Sequence, residues 1–311
     1  MPLFEINKQT IKQIGQSNFK KEKTLQTLVE KNLDVIFNCR FVHTEFPTGV
    51  IHSGRIDTLA LSEENNPVII EYKKKESSEL INQSLYYLSW IYDHKGDYEV
   101  AVQKSLGNSV KIDWSDVRVI CIAPYYKKFD LHAVQVMGAN IELWTYRLFN
   151  NSTLYLEEVL YKSYQSGTVL NKNSKNSVMV EAGKKAAITR KTSTYTFEEH
   201  LNNKSQKIKE LAISIQEFIT GLDTSIEENP RKHYIAYKTS QNIVCMEIKA
   251  KKIDLYLKLN PKILKKLPKI TRDVSHIGHF GTGDLQITIS NIDDLEIAKP
   301  LIEMAYQNVG G

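Results

Sequence analysis

The chain has 311 residues, a mass of 35.7 kDa and a formal net charge of +5, with 41% hydrophobic and 25% charged residues. This composition excludes collagen-like and broadly disordered proteins, and the length predicts two domains and a connector. Three widely spaced cysteines form no CxxC pair, which argues against a disulfide framework or a structural zinc site. The sequence shows no signal-peptide pattern and no apolar window of about 18 residues, so we expect a cytoplasmic protein without membrane contact.

The positive charge is unevenly distributed along the chain. Residues 1–160 contain 18 Lys and Arg against 20 Asp and Glu, residues 196–311 contain 16 against 15, and residues 161–195 contain 7 against 1. The last of these segments is rich in Ser, Asn and Thr, a composition typical of a flexible connector. We therefore predict domains over 1–161 and 196–311 and a basic linker over 162–195. A basic tether suits contact with polyanions, and a solvated run of charge is the alternative.

The first domain combines helical and strand patterns. Apolar residues from Leu25 to Phe37 recur at helical spacing and predict one amphipathic helix over about 22–37. The patterns after it are strands at Arg40–Phe46, Gly54–Leu61 and Val68–Lys73, a helix at Leu80–Tyr92, a strand at Val117–Ala123, a helix at Lys127–Met137, and strands at Ile141–Leu148 and Thr153–Leu160. This order predicts an α/β (α+β) fold in which helices flank a mixed sheet.

Two carboxylates and a lysine are expected to converge on this sheet. Glu71 and Lys73 are two residues apart on one strand, so their side chains leave the same face. Asp57 lies on the preceding strand, and the turn between the two strands brings it near Glu71. Buried charges are costly without a partner, and a divalent cation held by Asp57 and Glu71 would offset that cost. An edge strand with an ordinary salt bridge is the alternative.

The residues around these acids form a recognisable pair of motifs. Gly54-Arg55-Ile56-Asp57 followed by Glu71-Tyr72-Lys73 resembles the PD-(D/E)XK nuclease superfamily, with Ile56 in place of the proline of the family name. Each short motif alone would occur by chance, so their order along the chain matters. The resemblance covers roughly residues 20–150 and implies a restriction-endonuclease-like fold.

Two flanking features extend the resemblance. Glu30 lies on the helix before the strands, where many members place a further metal-binding acid, and Gln83 with Tyr87 matches the QxxxY pattern of the RecB-like branch. Gln83 and Tyr87 are four residues apart, so both can face the metal site or a nucleic-acid backbone. A solvated glutamate, and a surface glutamine beside a packed tyrosine, are the plainer interpretations of these three residues.

The resemblance implies a nuclease that hydrolyses phosphodiester bonds with Mg²⁺ or Mn²⁺. Asp57, Glu71 and the carbonyl of Tyr72 would hold the metal, and Glu30 would complete or hydrogen-bond its shell. Lys73 would orient or deprotonate the attacking water and stabilise the charged transition state. The expected partner is nucleic acid, DNA rather than RNA, in a defence, restriction or repair role, and a homodimer is left open. The alternative function is a nucleic-acid-binding or ligand-sensing or partner-sensing module that keeps the fold without the chemistry.

The second domain is predicted to be a small α+β domain. Its patterns are a helix at Phe197–Gly221, strands at Tyr234–Lys238, Ile243–Lys249 and Ile253–Leu259, a short helix at Pro261–Leu267, a strand at Leu285–Ile289 and a helix at Ile292–Tyr306. It resembles an uncharacterised domain that ends many proteins of this layout.

A basic segment lies inside this second domain. Between Lys249 and Arg272 there are nine basic residues against one acid, Asp254. This pattern is typical of a phosphate-binding face, and the predicted nucleic-acid contacts are Lys262, Lys265, Lys266 and Lys269. Charge that keeps strand edges soluble is the alternative.

Overall fold

The structure, a computed structural model, describes residues 2–49, 54–75, 79–137, 141–159, 195–264 and 267–310. The chain divides into two units, the first made of Met1–Asp34 and Cys39–Thr192 and the second of Val35–Asn38 and Ser193–Gly311. Except for Tyr195, the predicted linker over 162–195 lies outside the described residues. The same is true of Lys265 and Lys266, and the domain boundaries therefore stay predictions.

Strands form the centre of the first unit, and helices flank them. In chain order the elements up to residue 159 are β1 (Leu3–Asn7), β2 (Thr10–Ile14), β3 (Gln16–Ser17), α1 (Glu22–Glu30), α2 (Leu33–Phe37), β4 (Cys39–Pro47), β5 (Arg55–Ser62), β6 (Pro67–Tyr72), α3 (Glu79–Asp93), α4 (Lys95–Leu106), β7 (Arg118–Ala123), α5 (Lys128–Met137), β8 (Ile141–Phe149) and β9 (Leu154–Glu158). The part of α2 after Asp34 belongs to the second unit.

Seven of these strands form one mixed sheet in the order β3-β8-β7-β6-β5-β4, with β9 paired to β8. The strands β4, β5 and β6 form an antiparallel meander, whereas β6, β7 and β8 run parallel. Every residue of β6 and β7 is buried, as expected for central strands that are covered on both faces. The strands β1 and β2 form a separate antiparallel hairpin.

The predicted helix over 22–37 is wrong in one respect, because the structure contains two helices there, α1 and α2. The amide Nδ2 of Asn32 donates to the carbonyl of Leu28 at 2.7 Å, next to the break. Side-chain amides that bond the backbone in this way compete with the regular helical pattern. The start of α1 at Glu22 agrees with the expectation, and its N-cap is Lys21.

The second unit is an antiparallel sheet packed against helices. In chain order its elements are α6 (Phe197–Leu201), α7 (Gln206–Leu222), β10 (Glu227–Pro230), β11 (Ile235–Lys238), β12 (Asn242–Ile248), β13 (Ile253–Leu257), a 3₁₀ turn (Pro261–Ile263), β14 (Thr271–Asp273), β15 (Leu285–Ile289) and α8 (Ile292–Asn308). The sheet order is β10-β11-β12-β13-β15-β14.

One face of this second sheet carries the main core of the unit. Inward residues of β12, β13 and β15, such as Met246, Leu255 and Ile287, pack with apolar residues of α7 and α8. The single helix predicted over 197–221 is two helices, because α6 ends at Leu201 and Ser205 caps a new helix at the N–H of Ile208. The short strands β10 and β14 are additions to the predicted set.

The three cysteines, Cys39, Cys121 and Cys245, are buried and form no disulfide. Burial raises the pKa of both Cys39 and Cys121 to about 12, so these thiols are poor nucleophiles. Among the helices of the described ranges, none is both long and apolar enough to cross a membrane.

Candidate active site

Asp57 and Glu71 meet where the strands β5 and β6 part. Regular pairing of these strands ends at Thr58 and Ile70. Beyond that point the backbone N–H of Asp57 donates to Oε1 of Glu71 at 3.0 Å, and the backbone N–H of Tyr72 donates to Oδ2 of Asp57 at 3.0 Å. Each carboxylate therefore accepts a backbone N–H of the opposite strand, in place of a backbone–backbone hydrogen bond between the strands. These two bonds fix both side chains.

The strand alternation explains why these two acids share a face. Leu59 and Ile69 lie directly opposite each other in the pairing of β5 and β6, and both belong to the core that includes Leu85 of α3. Asp57 and Glu71 are each two residues further toward the open end, so they continue the same row of side chains. The row changes from apolar to acidic where the strands separate.

Burial makes this acid pair electrostatically unfavourable. Burial is the largest cause that raises the pKa of Asp57 to about 6, and the Tyr72 N–H and the Lys73 charge oppose it only in part. Burial, followed by the nearby charge of Asp57, also raises the pKa of Glu71 well above its usual value. Oε2 of Glu71 is buried and has no hydrogen-bond partner among the described residues. A cation at this position would relieve both penalties.

The residues present fit a magnesium-type ion. In the described part of the chain, no three His, Cys, Asp or Glu side chains are arranged to hold a metal. Mg²⁺ nevertheless binds through one or two carboxylates while it keeps several waters and contacts substrate phosphates, so an all-protein cage is not required. The oxygens left over by the backbone bonds are Oδ1 of Asp57 and Oε2 of Glu71, which are hard donors of the preferred kind.

Lys73 directly follows β6 and is half-buried. Its backbone N–H donates to the carbonyl of Ile122 at 2.9 Å, which continues the parallel pairing with β7. Its Nζ lies 3.7 Å from Oε1 of Glu22, and Oε2 of Glu22 accepts from the N–H of Lys74 at 2.8 Å. The structure thus places the predicted lysine beside the acid pair and shows that Glu22 contacts it, which the sequence did not indicate.

Glu30 bonds Thr58, the residue that follows Asp57 on β5. Its Oε1 accepts from Oγ1 of Thr58 at 2.7 Å and from Nε2 of Gln26 at 3.0 Å, so it bonds neighbours of Asp57 and neither acid directly. Gln26 is 3% exposed, and its Nε2 also lies 2.8 Å from the carbonyl oxygen of Asp57. Glu22, Gln26 and Glu30 recur every four residues, so one polar face of α1 contacts both acid-bearing strands. That spacing is the signal that could have identified Glu22 and Gln26.

Gln83 and Tyr87 hold the beginning of β5. The hydroxyl of Tyr87 donates to the carbonyl of Arg55 at 2.9 Å and accepts from the N–H of Arg55 at 3.1 Å and from Nε2 of Gln83 at 3.0 Å. A Cβ at Gly54 would lie 2.9 Å from Cε1 of Tyr87, so a glycine is needed for this approach. The pair therefore fixes the backbone two residues before Asp57, a position that the QxxxY pattern alone did not reveal.

Nε of Arg55 pairs with Oε2 of Glu45 at 2.5 Å. Glu45 also accepts from Nζ of Lys23 at 2.8 Å, and this lysine bond is the largest cause that lowers the pKa of Glu45. The charge of Glu45 in turn contributes to the raised pKa of Asp57. These three side chains therefore form a charged cluster next to the acid pair.

The basic segment of the second unit is partly neutralised. Nζ of Lys249 lies 3.1 Å from Glu247 and 2.8 Å from Asp254, and Nζ of Lys252 lies 3.2 Å from Asp254. Lys262 and Lys269 are exposed, whereas Lys265 and Lys266 lie outside the described residues. Of the four predicted nucleic-acid contacts, two are therefore available to solvent and two are not described.

The fold and the site together define the class of protein. It is an α/β (α+β) protein with a mixed sheet flanked by helices and a small second α+β unit, as predicted, and two carboxylates and a lysine meet at the end of the sheet. The chain is 32% identical over 312 residues to a Haemophilus influenzae protein described as an uncharacterized protein. The aligned region covers 99% of this chain and 100% of that one. It belongs to the family of that protein. Residues 197–309 match the domain of unknown function DUF5655.

Two of the solved structures that are similar to parts of the chain are a repair endonuclease and EndoMS. A repair endonuclease from Pyrococcus abyssi has a TM-score of 0.25 and 17% identity, over 41% of this chain and 48% of that one. A complex of EndoMS with dsDNA has a TM-score of 0.25 and 14% identity, over 47% of this chain and 64% of that one. The chain thus spans less than two thirds of these proteins, and its function has to be argued from its own site.

Proposed function

We propose that the protein is a metal-dependent nuclease that hydrolyses phosphodiester bonds, in DNA rather than RNA, at Asp57, Glu71 and Lys73. The observation that carries the proposal is the buried Oε2 of Glu71, which has no hydrogen-bond partner among the described residues and lies beside a second carboxylate of raised pKa. Such a pair favours a divalent cation with hard oxygen ligands. A defence, restriction or repair role is part of the same proposal.

Asp57 and Glu71 would hold Mg²⁺ or Mn²⁺ through the two oxygens that the backbone bonds leave over. The bound ion would supply an activated water and would neutralise charge on the phosphate. The remaining oxygens keep both side chains in place through the N–H groups of Asp57 and Tyr72. The carbonyl of Tyr72 and the carboxylate of Glu30 stay proposed contributors to the site.

Lys73 would act on the water and on the phosphate. Its Nζ is held loosely by Glu22 at 3.7 Å, a distance that leaves its N–H donors free to turn toward a substrate oxygen. A positioned ammonium can orient the attacking water and stabilise the negative charge that develops on the phosphate. Its removal should slow cleavage without removing a metal ligand.

The test is an assay with purified full-length protein. Circular and linear DNA, and RNA of matched length, are incubated with Mg²⁺, Mn²⁺ or EDTA. We expect cleavage only with the metals, its loss in Asp57→Asn, and a decrease of about 10²-fold or more in Lys73→Ala. The variant Lys104→Ala, which removes an exposed lysine of α4, is the control and should cleave at the parent rate.

The outcomes separate the competing functions. Binding of nucleic acid without cleavage under all metal conditions would overturn the enzyme and leave a nucleic-acid-binding protein. Full activity in Asp57→Asn would place the reaction elsewhere in the molecule. Preferential cleavage of RNA would keep the chemistry and correct the substrate.

A further inference from the structure

Two lysine-rich segments of the first unit meet in the folded chain. Residues 20–23 span the start of α1, and residues 73–75 follow β6. Nζ of Lys74 donates to the carbonyl of Lys20 at 2.8 Å, and the N–H of Lys74 donates to Oε2 of Glu22 at 2.8 Å. The fold thus gathers five lysines from distant parts of the sequence into one lysine surface, made of Lys20, Lys21, Lys23, Lys74 and Lys75.

This lysine surface keeps most of its charge. Glu22 is the acid within the two segments, and its oxygens already contact Nζ of Lys73 and the N–H of Lys74. Lys20, Lys21 and Lys75 are exposed, and within the described part of the chain they make no ion pair. Exposed like charges that lie close together repel each other, so a polyanion that binds there gains favourable electrostatic energy.

The lysine surface borders the acid pair from two directions. On one side Lys73 and Lys74 follow Tyr72, whose N–H holds Asp57. On the other side Lys23 pairs with Glu45, which pairs with Arg55, two residues before Asp57. A chain of phosphates that crosses the surface would therefore run next to the proposed metal ligands. The basic segment of the second unit is not needed for this contact.

We propose that the lysine surface binds the backbone phosphates of the nucleic acid on which the acid pair acts. The inference rests on the proposed function for the identity of the ligand as a nucleic acid. Ammonium groups contact phosphates without reading bases, so this binding is independent of sequence and strongly dependent on salt. Lys73 belongs to the reaction, whereas the five surface lysines bind substrate.

The experiment measures binding without cleavage. Full-length protein is titrated into a labelled DNA duplex of about 20 base pairs in EDTA, over a series of salt concentrations. The variant Lys21→Gln/Lys75→Gln removes one charge from each segment. The control Lys104→Gln/Lys111→Gln removes two exposed charges elsewhere in the same unit, so both proteins have the same net charge.

We expect the first variant to bind about 10-fold more weakly near 0.1 M salt. The slope of log affinity against log salt should be shallower by roughly 1.8, because each phosphate contact contributes about 0.9 on duplex DNA. The control should keep the parent slope, and Lys21→Arg/Lys75→Arg should keep the parent affinity. Equal slopes for Lys21→Gln/Lys75→Gln, the control and the parent would show that these lysines are solvated charge and would overturn the inference.

This design distinguishes a failure of the proposed lysine surface from a failure of the proposed nuclease activity. If the slope changes as expected and no protein cleaves DNA with Mg²⁺, the lysine surface stands and the proposed enzyme falls. If the parent cleaves DNA and the slope is unchanged, the enzyme stands and the surface falls. Competition with single-stranded DNA and RNA of the same length then shows which nucleic acid the surface prefers.

Discussion

Replacing Asp57 by asparagine should stabilise the fold while it removes the proposed metal site. The pKa of Asp57 is raised from 3.8 to about 6, chiefly by burial, which corresponds to roughly 3 kcal/mol between its neutral and ionised forms. At a pH above 6 the carboxyl is ionised in the folded and the unfolded chain, and the folded chain bears this whole penalty. Below about pH 3 it is neutral in both, so the penalty disappears. Asparagine is neutral and keeps an acceptor for the Tyr72 N–H.

The assay is urea unfolding of both proteins in EDTA, followed by circular dichroism. At pH 7.5 we expect the free energy of unfolding of Asp57→Asn to exceed that of the parent by up to about 3 kcal/mol. This is an upper bound because Asp57 is partly exposed, and the difference should vanish near pH 3. The control Glu157→Gln makes the same chemical change at an exposed carboxylate of β9 and should stay within about 0.5 kcal/mol of the parent.

Added Mg²⁺ should narrow the difference in stability between the parent and Asp57→Asn. A ligand that binds only the folded chain stabilises it by about 1.4 kcal/mol at ten times its Kd. We expect this gain in the parent and in Glu157→Gln and not in Asp57→Asn. A variant that is less stable than the parent at pH 7.5 in EDTA, or that still gains stability with Mg²⁺, would refute the reasoning and make Asp57 an ordinary structural acid.

Three further predictions concern Glu71, Tyr87 and the basic segment of the second unit. Because the pKa of Glu71 is raised, metal binding should release protons and weaken as the pH falls, and calorimetry in buffers of different ionisation enthalpy should show a smaller release in Glu71→Gln. Tyr87→Phe removes the hydroxyl that bonds Arg55 on both sides, so thermal unfolding should show a loss of about 1–3 kcal/mol and cleavage should slow. Charge reversal of Lys262 and Lys269 tests the basic segment of the second unit, and an unchanged salt slope of DNA binding would contradict the predicted phosphate contact there.

The meander and its acids could be predicted because strand alternation is a local property. A period of two residues places Asp57 and Glu71 on one face whatever else the chain does, and a short turn forces β5 and β6 to pair. The structure adds that both side chains bond the opposite backbone, which depends on the two strands separating beyond Thr58. Sequence patterns carry no information about where paired strands separate.

The sequence did not predict which acid of α1 lies near Lys73. Glu22 and Glu30 lie on the same polar face of α1, eight residues apart, and the sequence cannot say which end of the helix approaches the lysine. The structure puts Glu22 at Lys73 and Glu30 at Thr58, because the packing of buried Leu25 and Val29 sets how α1 lies on the sheet. The short strands β3, β10 and β14 escaped prediction for a similar reason, since pairing with distant strands defines them.

The polar face of α1 supports a last prediction, in which Gln26 positions Asp57. Its Nε2 lies 2.8 Å from the carbonyl oxygen of Asp57 and 3.0 Å from Oε1 of Glu30, and the side chain is buried. Gln26→Ala would leave these acceptors without their amide donor, at a cost of about 1–3 kcal/mol of unfolding free energy. Thr24→Ala, an exposed change on the same helix, should stay within about 0.5 kcal/mol.

Stability alone would not separate positioning by Gln26 from simple packing of the helix, so the decisive measurement is metal affinity. If the amide holds the strand that carries Asp57, Gln26→Ala should bind Mn²⁺ about 10-fold more weakly in calorimetry, the usual effect of losing a group that orients a ligand. Gln26→Glu also loses the amide donor, and its carboxylate beside Glu30 shifts the strand. It should nevertheless weaken binding less than Gln26→Ala, because the added negative charge near the cation offsets part of that loss. A Gln26→Ala protein that loses stability and keeps the parent affinity for Mn²⁺ would show that the amide only packs α1 against the sheet.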